Sequence, residues 1–131
     1  MKVGLILFAH GARDPNWSLP FKAVRDTVRD RAPDIAVVLG YLEFMSPNLV
    51  DAGHELAAAG CLRIDIVPLF LGTGGHVRKD LPVLIETLRA AHPQVTWTVR
   101  SSIGEAPDVI DAMARASLAG LTTGTNISDV P

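Results

Sequence analysis

Apolar positions along this 131-residue chain fall into two alternating patterns. Val3–Ala9, Ile35–Leu42, Leu62–Leu71 and Val95–Val99 are short and nearly continuous in apolar character; Asp65 interrupts the third and threonines alternate through the fourth. Runs apolar on both sides suit strands of a parallel sheet covered on both faces by helices. The segments between them repeat at helical spacing. Phe21, Val24 and Val28 share a stripe that begins near Ser18 and Pro20. Ser46 and Pro47 read as a cap and first turn ahead of Leu49, Gly53 and Leu56, with Gly60 as the left-handed stop. Asp80 reads as the cap of a third helix carrying Leu81, Leu84 and Leu88, ended by His92-Pro93. Pro107 opens a fourth, with Ile110, Met113 and Ser117 on one stripe.

The order is βαβαβαβα. Right-handed crossovers then give an α/β fold, a doubly wound, four-stranded and mostly parallel sheet with helices on both faces. Residues 1–120 are expected to form one domain. Residues 121–131, rich in Thr and Gly and without period, are expected to be a loosely ordered tail. Pro68 lacks a ladder donor inside the third run, which predicts either an edge strand or a bulge there.

Composition narrows the function. A net charge of −2 argues against a general nucleic-acid binder, which needs a basic surface. One cysteine, Cys61, excludes a disulfide framework and a cysteine-based zinc ribbon, and fits a reduced thiol in the cytoplasm. No apolar run approaches the roughly 18 residues of a membrane span. No partner membrane or nucleic acid is expected.

Ligands of open α/β sheets bind beyond the carboxyl ends of the strands, where strand order reverses. In a sheet ordered 2-1-3-4, the first and third runs are neighbours at that point. The loops there carry His10-Gly11-Ala12-Arg13-Asp14 and Gly72-Thr73-Gly74-Gly75-His76-Val77-Arg78-Lys79, and the second run ends at Glu43. Two imidazoles and a carboxylate around one crevice suit a divalent transition metal that must also meet a substrate. Arg13, Arg78 and Lys79 offer cations for an anionic ligand. Gly74 and Gly75 let backbone approach a large flat one. The glycine cluster fits neither the dinucleotide fingerprint nor the P-loop, so no nucleotide is expected. His54 and His92 read as surface residues, Trp17 and Trp97 as packing residues.

The segments Ala9-His10-Gly11-Ala12-Arg13-Asp14-Pro15 and Pro68 through Pro82 together resemble the small, single-domain sirohydrochlorin chelatases of the ATP-independent cobaltochelatase and ferrochelatase group. Leu42-Glu43 and Gly104-Glu105 fall where that resemblance expects them. Ala12 stands where many relatives carry Ser. The resemblance implies insertion of a divalent metal, with Co²⁺ favoured over Fe²⁺ or Ni²⁺, into a polycarboxylate tetrapyrrole in cobalamin or siroheme biosynthesis. It implies that His10 and His76 bind the metal and assist pyrrole deprotonation. Glu43 would accept a proton, and Arg13, Gly74, Gly75, Arg78 and Lys79 would hold the macrocycle. A half-length chain of this kind is expected to be a homodimer. A non-catalytic carrier of metal or tetrapyrrole uses the same ligands and stays open. A phosphoryl-transfer enzyme with a histidine nucleophile is disfavoured, because Ala9 stands where Arg would precede the histidine.

Overall fold

This computed structural model describes residues 1–122, excepting the side chains of His76 and Thr122. Four strands, β1 (Val3–Ala9), β2 (Ala36–Tyr41), β3 (Arg63–Pro68) and β4 (Thr96–Val99), alternate with α1 (Leu19–Arg31), α2 (Leu49–Ala58), α3 (Gly75–Ala91) and α4 (Pro107–Thr122). All strand pairs are parallel, as the hydrophobic pattern predicts, and their order is β2-β1-β3-β4, the order expected above. The order reverses between β1 and β3, and ligands of such sheets bind beyond the strand ends at that point, here Ala9 and Pro68.

One sheet face is closed. Ile6, Phe8, Ile64, Ile66 and Trp97 pack there against Leu49 and Leu56 of α2 and Leu88 of α3. The other face is closed only in part. Leu7, Leu39 and Val67 lie beneath Trp17, Phe21 and Val28, and no residue of α1 itself is fully buried.

Three boundaries differ from the sequence reading. Asn48, not Ser46, caps α2, because its side chain accepts from Asp51 N at 2.8 Å. α3 begins at Gly75 rather than after Asp80, so His76 sits in a first helical turn and not on a loop. The chain tolerates Pro82 within that helix. α4 runs through Thr122, so the expected tail starts as helix; its remainder, residues 123–131, lies outside the described residues. Pro68 makes neither an edge strand nor a bulge. It is the last residue of the inner strand β3, two residues past the final β3–β4 pair at Ile66, so its missing donor breaks no ladder on that side. Gly60, at φ +93°, ends α2 as expected. Among the described residues no helix is long and apolar enough to cross a membrane.

The charge inside the third run has a structural reason. Asp65 is buried on the partly covered face. Its carboxylate accepts from Arg63 Nε at 3.1 Å and from Arg100 Nη2 at 2.7 Å. The hydrogen bond from Arg63 chiefly, with that from Arg100, outweighs burial and holds the carboxyl below the ordinary aspartate range. A depressed carboxyl contributes stability above its unfolded value, and that contribution disappears as pH falls through the folded one. Asp65→Asn is therefore expected to cost about 1–3 kcal/mol near neutral pH. The difference should shrink as the medium is acidified, in urea melts of both proteins from pH 7 to pH 3. A constant gap across that range would separate Asp65 from the acid limb.

Candidate functional site

The site is assembled by extending the β1–β2 ladder past the strand ends. Leu42 N donates to Ala9 O at 2.9 Å, and Glu43 N donates to His10 O at 3.1 Å. The two loops are thereby zipped together, and their next side chains stand side by side. His10 Nε2 lies 3.1 Å from Glu43 Oε1, with both groups a little under half exposed. An ionised carboxylate can only accept, so Nε2 carries the proton of this bond. A neutral His10 ring then leaves Nδ1 with a lone pair, and the carboxylate holds the ring in place.

Gly11 makes the junction possible. Its φ is +90°, and a Cβ at this position would come within 1.9 Å of Glu43 O. Glycine supplies the turn and the vacancy together.

Aromatic side chains flank the pair. The Phe70 ring meets Phe8 edge-on at 5.6 Å and His10 at 6.3 Å between centroids. Phe70 is fixed in turn, because its carbonyl accepts from Gly104 N at 2.9 Å. Gly104 sits so close to Leu71 that a Cβ would fall 2.2 Å from the Leu71 carbonyl oxygen. Opposite, Arg13 places its guanidinium 5.1 Å from the centroid of the Phe44 ring. Phe44 is exposed and adopts φ +65°, a left-handed conformation that costs a non-glycine residue about 1–2 kcal/mol. The loop thus presents an aromatic face and a cation to solvent at the carboxyl edge of the sheet.

The third loop enters α3 through Gly74, its cap residue, and Gly75, its first residue. Neither glycine has any atom that an added Cβ would meet, so the surface over both is open. His76 follows in the first turn. Arg78 and Lys79 are exposed one turn further. Arg78 lines a cleft of about 530 Å³ between α3 and β4, together with Thr73, Arg89, Arg100, Ser102 and Glu105. The hydroxyls of Thr73 and Ser102 hydrogen-bond across the mouth of that cleft. The sequence reading missed Arg89 and Arg100 because they belong to the end of a helix and the end of a strand, where a lone arginine reads as surface charge.

The remaining histidines form a pair of their own. His54 Nδ1 and His92 Nε2 are 2.7 Å apart, joining α2 to the end of α3 beside Trp97. Spacing along one helix cannot show such a contact, which bridges two elements far apart in sequence. Cys61, Trp97 and Trp17 pack in the interior or against it, as expected. Among the described residues no three His, Cys, Asp or Glu side chains converge as a metal cage.

A parallel 2-1-3-4 sheet with a histidine–carboxylate pair at its switch point defines a chelatase-like α/β unit. The chain belongs to the CbiX family, which residues 4–118 match. It is 30% identical, at a TM-score of 0.81, to a solved structure from Marinobacter aquaeolei VT8 described as a cobalamin (vitamin B12) biosynthesis CbiX protein, covering 92% of this chain and 98% of that one. The sirohydrochlorin cobaltochelatase of Methanothermobacter thermautotrophicus is 33% identical over 84 residues, which span 64% of this chain and 58% of that protein. The Saccharolobus solfataricus enzyme of the same name is 34% identical over 63% of each chain. The chain thus covers less than two thirds of the length of these curated relatives. The sirohydrochlorin chelatase SirB of Bacillus subtilis subspecies spizizenii, solved with cobalt, shares the fold at a TM-score of 0.80 and 21% identity; the match covers 91% of this chain but 51% of that one.

Proposed function

We propose that this chain is a chelatase that inserts a divalent metal, Co²⁺ by preference, into sirohydrochlorin or a closely similar polycarboxylate tetrapyrrole in the cytoplasm. The observation that carries the reading is the His10–Glu43 pair, an exposed imidazole held against a carboxylate at the switch point of the sheet. Metal insertion has to strip water from the ion and remove two pyrrole protons. An imidazole with one free nitrogen serves as ligand or proton acceptor near neutral pH. Glu43 is then the second proton acceptor and the counter-charge to the ion. His76, in the first turn of α3, is the second histidine of this reading. Arg13, Gly74, Gly75, Arg78 and Lys79 provide open surface and cations for the macrocycle and its carboxylates. No nucleotide takes part.

The metal is the reaction's substrate. Imidazole and carboxylate donors accept Co²⁺, Ni²⁺ and Fe²⁺ alike, with affinity following the Irving–Williams order. The preference for cobalt rests on the names of the archaeal relatives. Purified protein mixed anaerobically with sirohydrochlorin and each ion should accelerate the absorbance change of metallation, most with Co²⁺. Binding of the macrocycle without acceleration by any ion would instead mark a carrier.

We infer further that the working unit is a homodimer. A tetrapyrrole is a wide disc, and a single crevice gives it one wall. The SirB chain, of which this chain spans 51%, has the length for two such units. Light scattering at micromolar concentration should give twice 14.0 kDa.

A further inference from the structure

Helix α4 is built for burial and has none. Every residue from Ile110 to Leu121 is exposed. Ile110, Met113, Leu118 and Leu121 are all exposed large apolar side chains. Its charged residues, Asp108, Asp111 and Arg115, fall on one narrow stripe, where Arg115 Nε meets Asp111 at 2.9 Å. The rest of the circumference is aliphatic or small, with Ala112, Ala114, Ala116, Ala119 and Gly120 filling the positions between. A helix apolar over most of its circumference belongs in a core. Yet among the described residues α4 packs substantially only on the short turn Ile103–Glu105 before it.

The partly covered sheet face carries the complementary deficit. α2 and α3 bury residues on the closed face, whereas α1 buries none. Leu19 and Val24 of α1 are exposed, and a shallow groove of about 340 Å³ runs along Ala23, Val24, Thr27, Val28 and Arg31. The chain therefore offers both an exposed apolar helix and an apolar seat for one.

We propose that α4 is an exchange helix: in a twofold dimer it lies along α1 of a second copy, and that copy's α4 lies along α1 of the first. This rests on the dimer reading above and assigns where the dimer is built. A second copy is the occupant the chain itself supplies, since any surface that seats α4 is then present twice and the contact closes by symmetry. The charges fit an antiparallel crossing. It sets Asp108, in the first turn of α4, near Arg31, which stands in the last turn of α1 and lines the groove. A sixteen-residue helix is roughly 24 Å long. Two such contacts give an interface on the order of the 1,200–2,000 Å² total that stable complexes bury. The exchange also reaches the site. The segment that leads into α4 contains Gly104, whose N–H holds the Phe70 carbonyl, and Phe70 flanks His10.

Val24→Cys and Met113→Cys, made in separate copies of which one is isotope-labelled, test it by bismaleimide cross-linking and mass spectrometry. Cys61 is buried and does not compete. A product joining labelled to unlabelled chain supports exchange. A dimer that yields no such product overturns exchange and leaves the dimer standing. So does a link formed within one chain of the Val24→Cys/Met113→Cys double variant, which would mean that α4 packs on its own α1. Ile110→Glu/Leu118→Glu should weaken dimerisation at least tenfold while the far-ultraviolet helix signal persists. A wild-type monomer at micromolar concentration would remove both inferences. The metallation assay tests the chelatase reading separately.

Discussion

His10→Ala is expected to bring sirohydrochlorin metallation down to the uncatalysed rate, a loss on the order of 10²–10⁴. The expectation follows from the bond to Glu43. The carboxylate fixes the Nε2–H form of the ring and leaves the other nitrogen for metal or proton. His76→Ala should be as severe if the second histidine completes the site. Glu43→Gln keeps the shape of the contact and removes its charge. That change should cost roughly 10–100-fold, the usual effect of losing a partner that orients a metal-ligating histidine. The fold should survive the substitutions at His10 and Glu43, since their side chains are each nearly half exposed. His54→Ala and His92→Ala disturb a different pair, on α2 and at the end of α3, and should leave turnover near wild type. Steady-state metallation with Co²⁺ distinguishes the two groups. If His54→Ala proved as damaging as His10→Ala, the site would lie on the helices and not at the strand ends.

Much of this arrangement is legible before folding, for identifiable reasons. Val3–Ala9 is apolar on both faces because β1 is an inner strand, and that is why its boundaries read correctly to the residue. His10 and Glu43 follow strand ends, and a parallel sheet brings strand ends to one edge, so their meeting follows from topology. What the chain conceals is contact between elements. The His54–His92 pair and the Arg63–Asp65–Arg100 cluster join segments 38 and 35 residues apart, with no local signal. The start of α3 was misplaced because Gly74 is a cap without a side chain, whereas Asp80 has the chemistry of one and is interior to the helix. The stripe of α4 reads as an inward face in any single chain. Its exposure becomes visible only in the folded chain, where every residue from Ile110 to Leu121 faces solvent.

Gly11→Ala should be the most damaging change that touches no chemical group of the site. Two costs coincide at this residue. The φ of +90° is strained for any L-amino acid, at about 1–3 kcal/mol. The added methyl would also lie 1.9 Å from Glu43 O, far inside contact distance, and the obstacle is backbone, which cannot rotate aside. Relief requires the two loops to part. Parting them breaks the Glu43 N to His10 O hydrogen bond and separates the imidazole from its carboxylate. Gly60 is the natural control. It has nearly the same φ, +93°, but an added Cβ there meets nothing within 4 Å. Gly60→Ala should therefore lower stability by only the conformational cost of about 1–2 kcal/mol and leave metallation intact. Gly11→Ala should lower stability further and reduce metallation as far as His10→Ala does. Thermal melts and metallation rates of the two variants, measured side by side, separate the shared backbone strain from the clash peculiar to Gly11. Equal behaviour of the two would mean that the close approach of Glu43 to Gly11 does not hold the site together.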